Sequence, residues 1–481
     1  MPKEILINAE HGEKRVAVVN EGRIEEFYME RPQDKTIVGN IYLGKIEAVI
    51  PSIAGAFVDI GLPKKGFLYL SEIETAFEAI ESPQKPVNVS EIKKGQEVLV
   101  QVVKESFGTK GPRLSAHIGL AGRYLVLLPG ESQVGISRRI EDDVERRRLR
   151  QIFQELKLPK GVGFIVRTAA SGKSKQELSR DSEFLYKLWQ RLEHSIKEKK
   201  APSVIYEEYD LTFRVIRDSF SDDVTKLVVD SKEEYYRIQH FMRSFMSYLI
   251  KKVELYRGDN LFEEKDIERQ INRLFESKVY LKSKAYLVIE PTEGLVVIDV
   301  NSGGFRKKLQ QEETAFKVNC EAATEAARQL ILRDLGGIIV IDFIDMRRES
   351  HRREVLNLLK NALNMDRAKY DILGISKFGL VEMTRERIHK NAHTLSSQLC
   401  PYCGGMGRVN SPVTTAIYAF KELKRFLKSK SPKQVNLSLA PGVVTEVLKE
   451  KSALKNLERQ FRAQINIVSN PALHVEEVKI S

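Results

Sequence analysis

The chain has 481 residues with 42% hydrophobic content, so about three or four domains are expected, and no apolar run approaches the ~20 residues of a membrane-spanning helix. Three cysteines predict a reducing compartment, the cytoplasm, and argue against a disulfide framework. The net charge of +12 fits a polyanionic partner such as nucleic acid, although charge alone barely favours that over an ordinary basic protein.

Residues 1–35 contain alternating apolar and polar positions that predict three β-strands, with a hairpin turn at Gly22. Three strands are too few for an independent domain, so we expect later residues to complete their sheet. The candidates are three predicted strands between residues 203 and 230: SVIYEEY, LTFRVIRD and TKLVVD.

Residues 36–117 contain short apolar runs separated by glycines and no helical pattern, which predicts a small closed barrel of about five strands. Aromatic and basic side chains are interleaved along it: Tyr42, Phe57, Phe67, Lys45, Lys64, Lys65, Lys110 and Arg113. Aromatic faces for bases and cations for phosphates are what a binder of single-stranded nucleic acid needs. The alternative, that any one of these rings packs in the barrel core, stays open.

In residues 118–210 the sequence predicts a charged helix, then the segment GVGFIVRTAASGKSKQEL, and then a helix over residues 180–197 in which Trp189 is expected in the core. Arg167 and Thr168 begin a loop of small residues that could bind a phosphate group. The charge run of the first helix is expected to be a solvated face.

The most informative stretch runs from Ala285 to Met346. Two short runs rich in Val and Ile predict buried strands, and they end in Asp299 and Asp342. A helical pattern from about residue 312 to 334 connects the two strands. Such a crossover makes the strands parallel and usually close, so both aspartates are expected at the same edge of one sheet.

Neighbouring strands lie ~4.8 Å apart, so two carboxylates on them could share one Mg²⁺, a cation that takes one or two carboxylates and keeps its waters. Asn301 has the same strand parity as Asp299 and is expected to point the same way. Asp345 has the opposite parity to Asp342, so we leave it out of the site. The alternative, one aspartate capping a helix and the other solvated, is disfavoured by their pairing.

Beyond this stretch the sequence predicts a basic amphipathic helix and then one strand over residues 370–388. Lys377, Arg385 and Arg387 lie close in sequence to the predicted metal site, where cations could bind phosphates. Solvated surface side chains are an alternative of equal weight.

Cys400 and Cys403, followed by two glycines, are typical of half a zinc-binding knuckle. A redox-active pair is disfavoured because such a pair normally begins a helix. Zinc needs four ligands, so either His389 and His393 complete the site or a second chain donates its own cysteines. Residues 413–481 predict a small α+β module.

The motifs IVRTA, IDVNSGG, GGIIVIDFIDM, SKFGLVEMTRER and CPYCGGMG, in this order, resemble the ribonuclease E/G family of bacterial endoribonucleases along nearly the whole chain. The sequence lacks the long disordered scaffold of the larger members, so the shorter members are its expected relatives. The resemblance implies a multidomain α/β and β fold, in which an S1-like OB-fold barrel and a 5′-sensor are inserted into an RNase H-like subdomain. A DNase I-like α/β catalytic subdomain, a zinc-link and a small C-terminal α+β domain follow.

The implied boundaries are 1–35 and 211–275 for the RNase H-like subdomain, 36–117 for the S1-like domain, 118–210 for the 5′-sensor, 276–397 for the DNase I-like subdomain, 398–412 for the zinc-link and 413–481 for the C-terminal domain.

The resemblance also assigns RNA-binding residues. Phe57, Phe67 and Lys110 match positions that contact RNA, and Arg167 and Thr168 match the pair that grips a 5′-monophosphate. At position 377 the family often has Arg where this chain has Lys. Lys cannot make the same bidentate phosphate contact, so RNA binding there would be weaker.

Two metal sites are implied in the same way. Asp299 and Asp342 match the Mg²⁺ ligands, and Asn301 matches a nearby catalytic residue. Cys400 and Cys403 match the zinc-link, in which two protomers share one Zn²⁺. The expected assembly is therefore a homodimer or a homotetramer.

The implied activity is Mg²⁺-dependent hydrolysis of single-stranded, AU-rich RNA, with a preference for 5′-monophosphorylated ends and with 5′-phosphate and 3′-hydroxyl products. Expected substrates are mRNA and the precursors of rRNA and tRNA. A non-catalytic RNA-binding or assembly factor is the alternative, and the intact pair of aspartates speaks against it. A DNA nuclease is a third hypothesis that the barrel does not exclude.

Overall fold

The computed structural model of the protein describes residues 3–9, 12–72, 92–106, 110–156, 158–292, 294–303, 311–364, 366–376, 378–387 and 398–481, without the side chains of residues 244 and 245. Lys377, His389 and His393 lie outside the described residues. The chain forms two compact units, residues 1–395 and 396–481.

Strands dominate the beginning of the first unit. They are β1 (Lys3–Asn8), β2 (Lys14–Asn20), β3 (Arg23–Glu30), β4 (Ile41–Ile50), β5 (Gly55–Asp59), β6 (Gly66–Tyr69), β7 (Glu97–Lys104), β8 (Arg113–Ser115), β9 (Leu120–Ala121), β10 (Leu125–Pro129) and β11 (Val134–Ile136).

Helices and strands then alternate. In chain order they are α1 (Asp143–Glu155), β12 (Val162–Val166), α2 (Lys175–Glu198), β13 (Ser203–Tyr206), α3 (Leu211–Ser219), β14 (Val224–Val229), α4 (Lys232–Phe245), β15 (Val253–Leu255), α5 (Leu261–Glu264), α6 (Ile267–Arg273) and β16 (Lys278–Tyr280).

The last sheet of the first unit and the second unit complete the chain. Their elements are β17 (Tyr286–Pro291), β18 (Leu295–Asn301), α7 (Gln311–Leu332), β19 (Gly337–Asp342), α8 (Glu349–Leu363), β20 (Tyr370–Ile375), β21 (Leu380–Arg385), α9 (Pro412–Lys430), β22 (Gln434–Leu439), α10 (Pro441–Lys449), α11 (Lys451–Phe461), β23 (Gln464–Ser469) and β24 (Lys479–Ile480).

The N-terminal strands belong to a sheet of order β15-β14-β1-β2-β3. TKLVVD forms β14 and runs parallel to β1, so for this segment the predicted completion of the sheet is confirmed. The other two candidates were wrong. SVIYEEY supplies β13, which pairs with β4 instead. LTFRVIRD is helix α3, because Leu211, Val215 and Ile216 recur at helical spacing on its buried face and Asp210 caps its first turn.

The predicted barrel is confirmed. Strands β4, β5, β6, β8 and β7 pair in that order, and β7 pairs back with β4, which closes five strands on themselves. Tyr42 is only 3% exposed and packs in the barrel core with Ile46 and Val100. For Tyr42 the core alternative is therefore the right one.

A third sheet, of order β11-β12-β10-β9, packs against helices α1 and α2. Trp189 of α2 is buried there, as predicted. The buried carboxylate of Asp181, also in α2, accepts the backbone N–H groups of Tyr124 and Leu125, and burial raises the pKa of this carboxyl above its usual value. This contact fixes α2 to the start of β10, where Leu125 pairs with Val166, the residue before Arg167.

The last sheet of the first unit has six strands in the order β16-β17-β18-β19-β21-β20. Only the β18–β19 pair is parallel among its described pairings. The single strand predicted for residues 370–388 is instead the antiparallel hairpin β20–β21, since Gly379 with φ +82° allows the chain to reverse. Helices α7 and α8 pack their apolar faces against this sheet.

The second unit contains helices α9 to α11 and a small sheet of order β23-β22-β24, so the predicted α+β module is confirmed. Across the part of the chain that the structure describes, no helix has both the length and the apolar character required to cross a bilayer.

Candidate functional site

Two aspartates lie side by side at one edge of the last sheet of the first unit, where strands β18 and β19 end. In the parallel pairing of β18 with β19, Asp299 is the direct partner of Asp342, and both side chains are exposed. The predicted adjacency is confirmed. Asn301 donates a hydrogen bond from Nδ2 to Oδ2 of Asp299 at 2.7 Å, so it points to the same side, as its parity predicts. The amide thus orients one of the two carboxylates.

The carboxylates at this edge repel one another. Partial burial raises the pKa of Asp342, and the charges of Asp299 and Asp345 raise it further. Asp345 lies beyond the end of β19 at Asp342, where strand parity gives no direction, so its exclusion from the metal site stays a prediction. A divalent cation would relieve this repulsion, and carboxylate oxygens are the ligands that Mg²⁺ prefers.

The two aspartates suit a cation that takes only a few of its ligands from the protein. Within the described ranges, no group of three or more His, Cys, Asp or Glu side chains is arranged to hold a metal ion. Two carboxylates at a solvent-exposed edge are enough for Mg²⁺, which keeps several of its waters, but not for a closed structural site.

Arg385 and Arg387 do not belong to this site. Strand β21 runs antiparallel to β19, so Leu380 lies opposite Asp342 while Arg385 lies opposite Gly337, at the far end of the strand. Arg385 is 3% exposed and binds buried Asp366, and Arg387 donates from Nε to the Gly336 carbonyl. The interpretation that cations near the metal bind phosphates was therefore wrong for these two arginines. Arg387 fits the alternative of an exposed side chain, whereas Arg385 is buried and fits neither.

An aromatic ring that sequence reasoning missed lies at the aspartate edge. The turn between β20 and β21 precedes Leu380, the partner of Asp342, and its Phe378 side chain is 85% exposed. The sequence signal was available in the glycine of KFGL, which marks a turn, but a single predicted strand concealed it.

On the barrel surface, Phe57 and Phe67 are partly exposed and meet edge to face with ring centroids 5.9 Å apart. Tyr69 continues the row at 5.0 Å from Phe67, and the Arg113 guanidinium lies 4.8 Å from its ring centroid. We did not single out Tyr69, although it follows Phe67 at the two-residue spacing of one strand face. Lys110 is exposed.

Gly55 makes room for this row of rings. A β-carbon at position 55 would lie 2.3 Å from Cε2 of Phe67, a distance that real atoms do not tolerate. The absence of a side chain there lets the Phe67 ring lie against the β5 backbone.

The Arg167 side chain is about a quarter exposed and partly engaged. One nitrogen donates to the Gly122 carbonyl at 2.5 Å and another to Asp218 Oδ1 at 2.8 Å. Burial alone would raise the pKa of Asp218, but Arg217 and Arg167 hold it well below its usual range. Thr168 is exposed at the start of a short turn after β12. An anion here would share Arg167 with Asp218.

In the second unit, the surroundings of Cys400 favour its thiolate. The pKa of Cys400 is lowered, first by the backbone N–H groups of Cys403 and Tyr402 and then by the Cys403 side chain. The Gly407 N–H donates to Sγ of Cys403 at 3.2 Å. Thiolates stabilised by backbone donors are suitable zinc ligands. His389 and His393 lie outside the described residues, so the choice of remaining ligands stays a prediction.

Three family models match the chain. The model described as S1 RNA binding domain matches residues 35–117, the model described as Ribonuclease E/G family matches 119–388, and the model described as RNase E/G, Thioredoxin-like domain matches 399–481. The closed barrel lies in the first range and the aspartate pair lies in the second.

Curated relatives align along the chain. Ribonuclease G of Escherichia coli (strain K12) is 38% identical over 487 residues, which cover 100% of this chain and 99% of the relative. Ribonuclease G of Haemophilus influenzae is 40% identical over 455 residues, which cover 93% of this chain and 92% of the relative. Ribonuclease E of Escherichia coli (strain K12) is 39% identical over 491 residues, which cover 99% of this chain but 46% of that longer relative.

Proposed function

The chain belongs to the ribonuclease E/G family, and from this premise we propose that it is an endoribonuclease that hydrolyses single-stranded RNA in a Mg²⁺-dependent reaction at Asp299 and Asp342. The observation that carries the proposal is the pairing of these two exposed carboxylates across adjacent parallel strands. A non-catalytic RNA-binding factor would have no need to keep two repelling carboxylates together.

Each residue of the site has a separate task in the proposed reaction. Mg²⁺ bound by Asp299 and Asp342 would offset the charge that develops on the phosphate. Asn301 uses its NH₂ group to orient Asp299, which leaves its amide oxygen to accept a hydrogen bond from the attacking water. When water forms the new P–O bond and the bond from phosphorus to the 3′ oxygen breaks, the products carry a 5′-phosphate and a 3′-hydroxyl. These are the ends that the family resemblance implies, and they agree with water, not the ribose 2′-hydroxyl, as the nucleophile.

The barrel supplies the binding surface for the RNA strand. Stacking on the exposed parts of Phe57, Phe67 and Tyr69, together with the charge of Lys110 and Arg113, would hold a single strand with little sequence preference. Preference for AU-rich segments, and substrates among mRNA and the precursors of rRNA and tRNA, are extended here from the family.

Recognition of the RNA 5′ end is proposed for Arg167 and Thr168. The exposed hydroxyl and the partly exposed guanidinium can both donate to a single phosphate. The preference for a monophosphate is extended here from the family resemblance, and a triphosphate should bind poorly if the pocket fits only one phosphate. Lys377 is proposed to contact the RNA backbone near the metal, as its position in the family pattern implies.

The division of the fold follows the same premise. We assign residues 1–35 and 211–275 to an RNase H-like subdomain and 276–397 to a DNase I-like catalytic subdomain. Strand β13 lies in residues 118–210, the segment assigned to the 5′-sensor, but it pairs with β4 of the barrel.

Cys400 and Cys403 are proposed to share one Zn²⁺ with the same pair of a second copy. Two-fold dimers are the commonest oligomers, and such an axis would supply the four ligands of a closed site. We expect half a zinc per chain and a dimer that dissociates when both cysteines become Ser, measured by metal analysis and light scattering. One zinc per monomeric chain would instead favour His389 and His393 as the other ligands.

The proposed activity is tested by incubating the protein with a 5′-monophosphorylated AU-rich oligoribonucleotide and with the DNA oligonucleotide of the same sequence. We expect the protein to cleave the RNA when Mg²⁺ is present and to stop when a chelator removes the ion. The products should carry a 5′-phosphate and a 3′-hydroxyl. Binding without cleavage would favour the RNA-binding factor, and equal cleavage of the DNA would favour a general nuclease.

A further inference from the structure

The turn between β20 and β21 presents one aromatic ring to solvent. The backbone N–H of Phe378 donates to Oγ of Ser376 at 3.3 Å, and the N–H of Gly379 donates to the Ser376 carbonyl at 3.1 Å. The Ser376 N–H in turn donates to the Leu380 carbonyl at 2.8 Å. The turn is therefore held by its own hydrogen bonds. The Phe378 side chain is 85% exposed, so its ring makes little packing contact with the residues that the structure describes.

The position of this turn is fixed relative to the carboxylates. Leu380 is the direct partner of Asp342 in the β19–β21 pairing, so the turn continues the same sheet edge. A β-carbon on Gly379 would lie 3.5 Å from Oδ1 of Asp345, which shows how closely the turn approaches that acidic group. The charge of Asp345 is felt by Asp342. Phe378 thus stands next to the place where the scissile phosphate must bind.

We propose that Phe378 stacks on the nucleobase adjacent to the scissile phosphodiester and thereby determines which bond of the RNA enters the site. The inference rests on the proposed function, since it takes Asp299 and Asp342 as the place of hydrolysis. An aromatic face accepts any base, and a fixed ring beside a fixed phosphate site sets the register of the strand.

A protein surface fits this edge less well than a nucleotide. An apolar patch that covered Phe378 would also bury Asp342 and Asp345, and burying unpaired carboxylates is costly. A nucleotide offers a flat apolar base that can stack on the Phe378 ring. Its phosphate binds together with a metal ion, and that ion offsets the negative charge of the carboxylates. The neighbouring chemistry therefore favours RNA over a second copy of the chain.

Leu373 offers a matched control. Its side chain is 80% exposed, but it lies at the irregularity of the edge strand β20 and has no aromatic face. If general surface apolarity were the relevant property, Leu373→Ala and Phe378→Ala would have similar effects.

The test uses a 5′-monophosphorylated oligoribonucleotide with one cleavage site and a series of the same oligonucleotide with a single abasic position. For the wild-type protein, removing one particular base beside the scissile bond should lower kcat/KM about 5-fold to 150-fold, the range expected for one stacked base. On the intact RNA, the kcat/KM of Phe378→Ala should be lower than that of the wild type by the same factor. Removing that base from the RNA should not lower the kcat/KM of Phe378→Ala any further. Phe378→Trp should retain the wild-type pattern, and Leu373→Ala should match the wild type throughout.

Three results would overturn the proposal. Phe378→Ala could cleave intact RNA at the wild-type rate, it could lose the same factor at every abasic position, or it could change the oligomeric state without changing the dependence on any base. The variant is expected to keep the wild-type thermal midpoint, because the exposed ring contributes little packing. Failure of the proposed function would look different, since the wild type would then not cleave RNA at all.

Discussion

The charged side chains at the two ends of the β19–β21 strand pair have opposite surroundings. At one end of β19 and β21, Arg385 binds Asp366 at 2.6 Å and Asp334 at 2.8 Å, and its side chain is 2% exposed. At the other end, Asp342 stands beside Asp299 and Asp345 in solvent, and the pKa of Asp342 is raised. The first cluster is compensated by its own cation, whereas Asp299, Asp342 and Asp345 form no ion pair with any residue that the structure describes.

This difference separates a structural cluster from a functional one. Although burial alone would lower the pKa of Arg385, its bonds to Asp366 and Asp334 raise it, so the ion pairs are satisfied within the fold. At the aspartate edge, and within the described part of the chain, the Asn301 amide is the one group that donates a hydrogen bond to these carboxylates. Uncompensated charge kept at a sheet edge is a stronger indication of a ligand site than acidic residues alone.

The largest expected effect distinguishes the two ends by activity. Asp342→Asn should reduce RNA cleavage by about 10²–10⁴-fold, because losing a metal ligand removes several kcal/mol of charge stabilisation. Asp371→Asn, an exposed aspartate of the edge strand, is the control and should cleave normally. Near-normal cleavage by Asp342→Asn would remove the basis of the two-aspartate site.

The second effect appears in stability. Arg385→Ala should lower the free energy of unfolding of the first unit by about 3–5 kcal/mol, because Asp366 is left buried without its cation. Arg387→Ala, which loses one bond to a carbonyl, should cost less. Denaturant unfolding followed by a probe in the first unit measures both, and equal stability of Arg385→Ala and wild type would show that the buried pair is dispensable.

Arg167 is an intermediate case, bonded to Asp218 but partly exposed. Arg167→Ala should shrink the rate preference for 5′-monophosphorylated over 5′-hydroxylated RNA about tenfold to a hundredfold, because a charged hydrogen bond contributes roughly 1.5–3 kcal/mol. Parallel cleavage assays with the two RNAs give the ratio. A ratio unchanged from wild type would mean that Arg167 only stabilises the fold.

The smallest effect concerns the titration of Asp342. In metal-free protein, Asp345→Asn should lower the pKa of Asp342, because removing a negative neighbour favours the ionised carboxylate. Because the pKa of Asp342 is raised in the folded state, folding disfavours its ionised form. At a pH above the folded pKa, the ionised carboxylate therefore lowers the free energy of unfolding, and this loss disappears as the pH falls through the folded pKa. Carboxyl NMR of both proteins measures the shift, and an unmoved pKa would show that Asp345 faces elsewhere.

The sequence predicted most where the pattern was local. The Val- and Ile-rich runs that end in Asp299 and Asp342, with a helix between them, determine a parallel pair by the handedness and length of the crossover. The place of Arg385 could not be read in this way, because it depends on β21 pairing antiparallel with β19, a contact between distant segments. Proximity in sequence to an acidic motif was misleading there.

Similar limits explain the other differences. LTFRVIRD contains residues common in strands, yet their spacing suits a helix, and the cap at Asp210 decides the outcome. The parity that excluded Asp345 holds only inside a strand. The exposure of Tyr69 and Phe378 depends on which faces the finished barrel and hairpin leave uncovered. The local signals, the spacing from Phe67 and the glycine of KFGL, do not by themselves determine it.

A double-mutant cycle on the paired aspartates tests the central claim most directly. Cleavage rates at saturating RNA and Mg²⁺ are compared for Asp299→Asn, Asp342→Asn and the double variant, with Asp371→Asn as the control. If both carboxylates hold one cation, either single change removes most of the metal's contribution, and the double variant should be no more than a few-fold slower than the slower single variant. Losses that multiply, or a single variant that cleaves at the wild-type rate, would contradict a shared metal site.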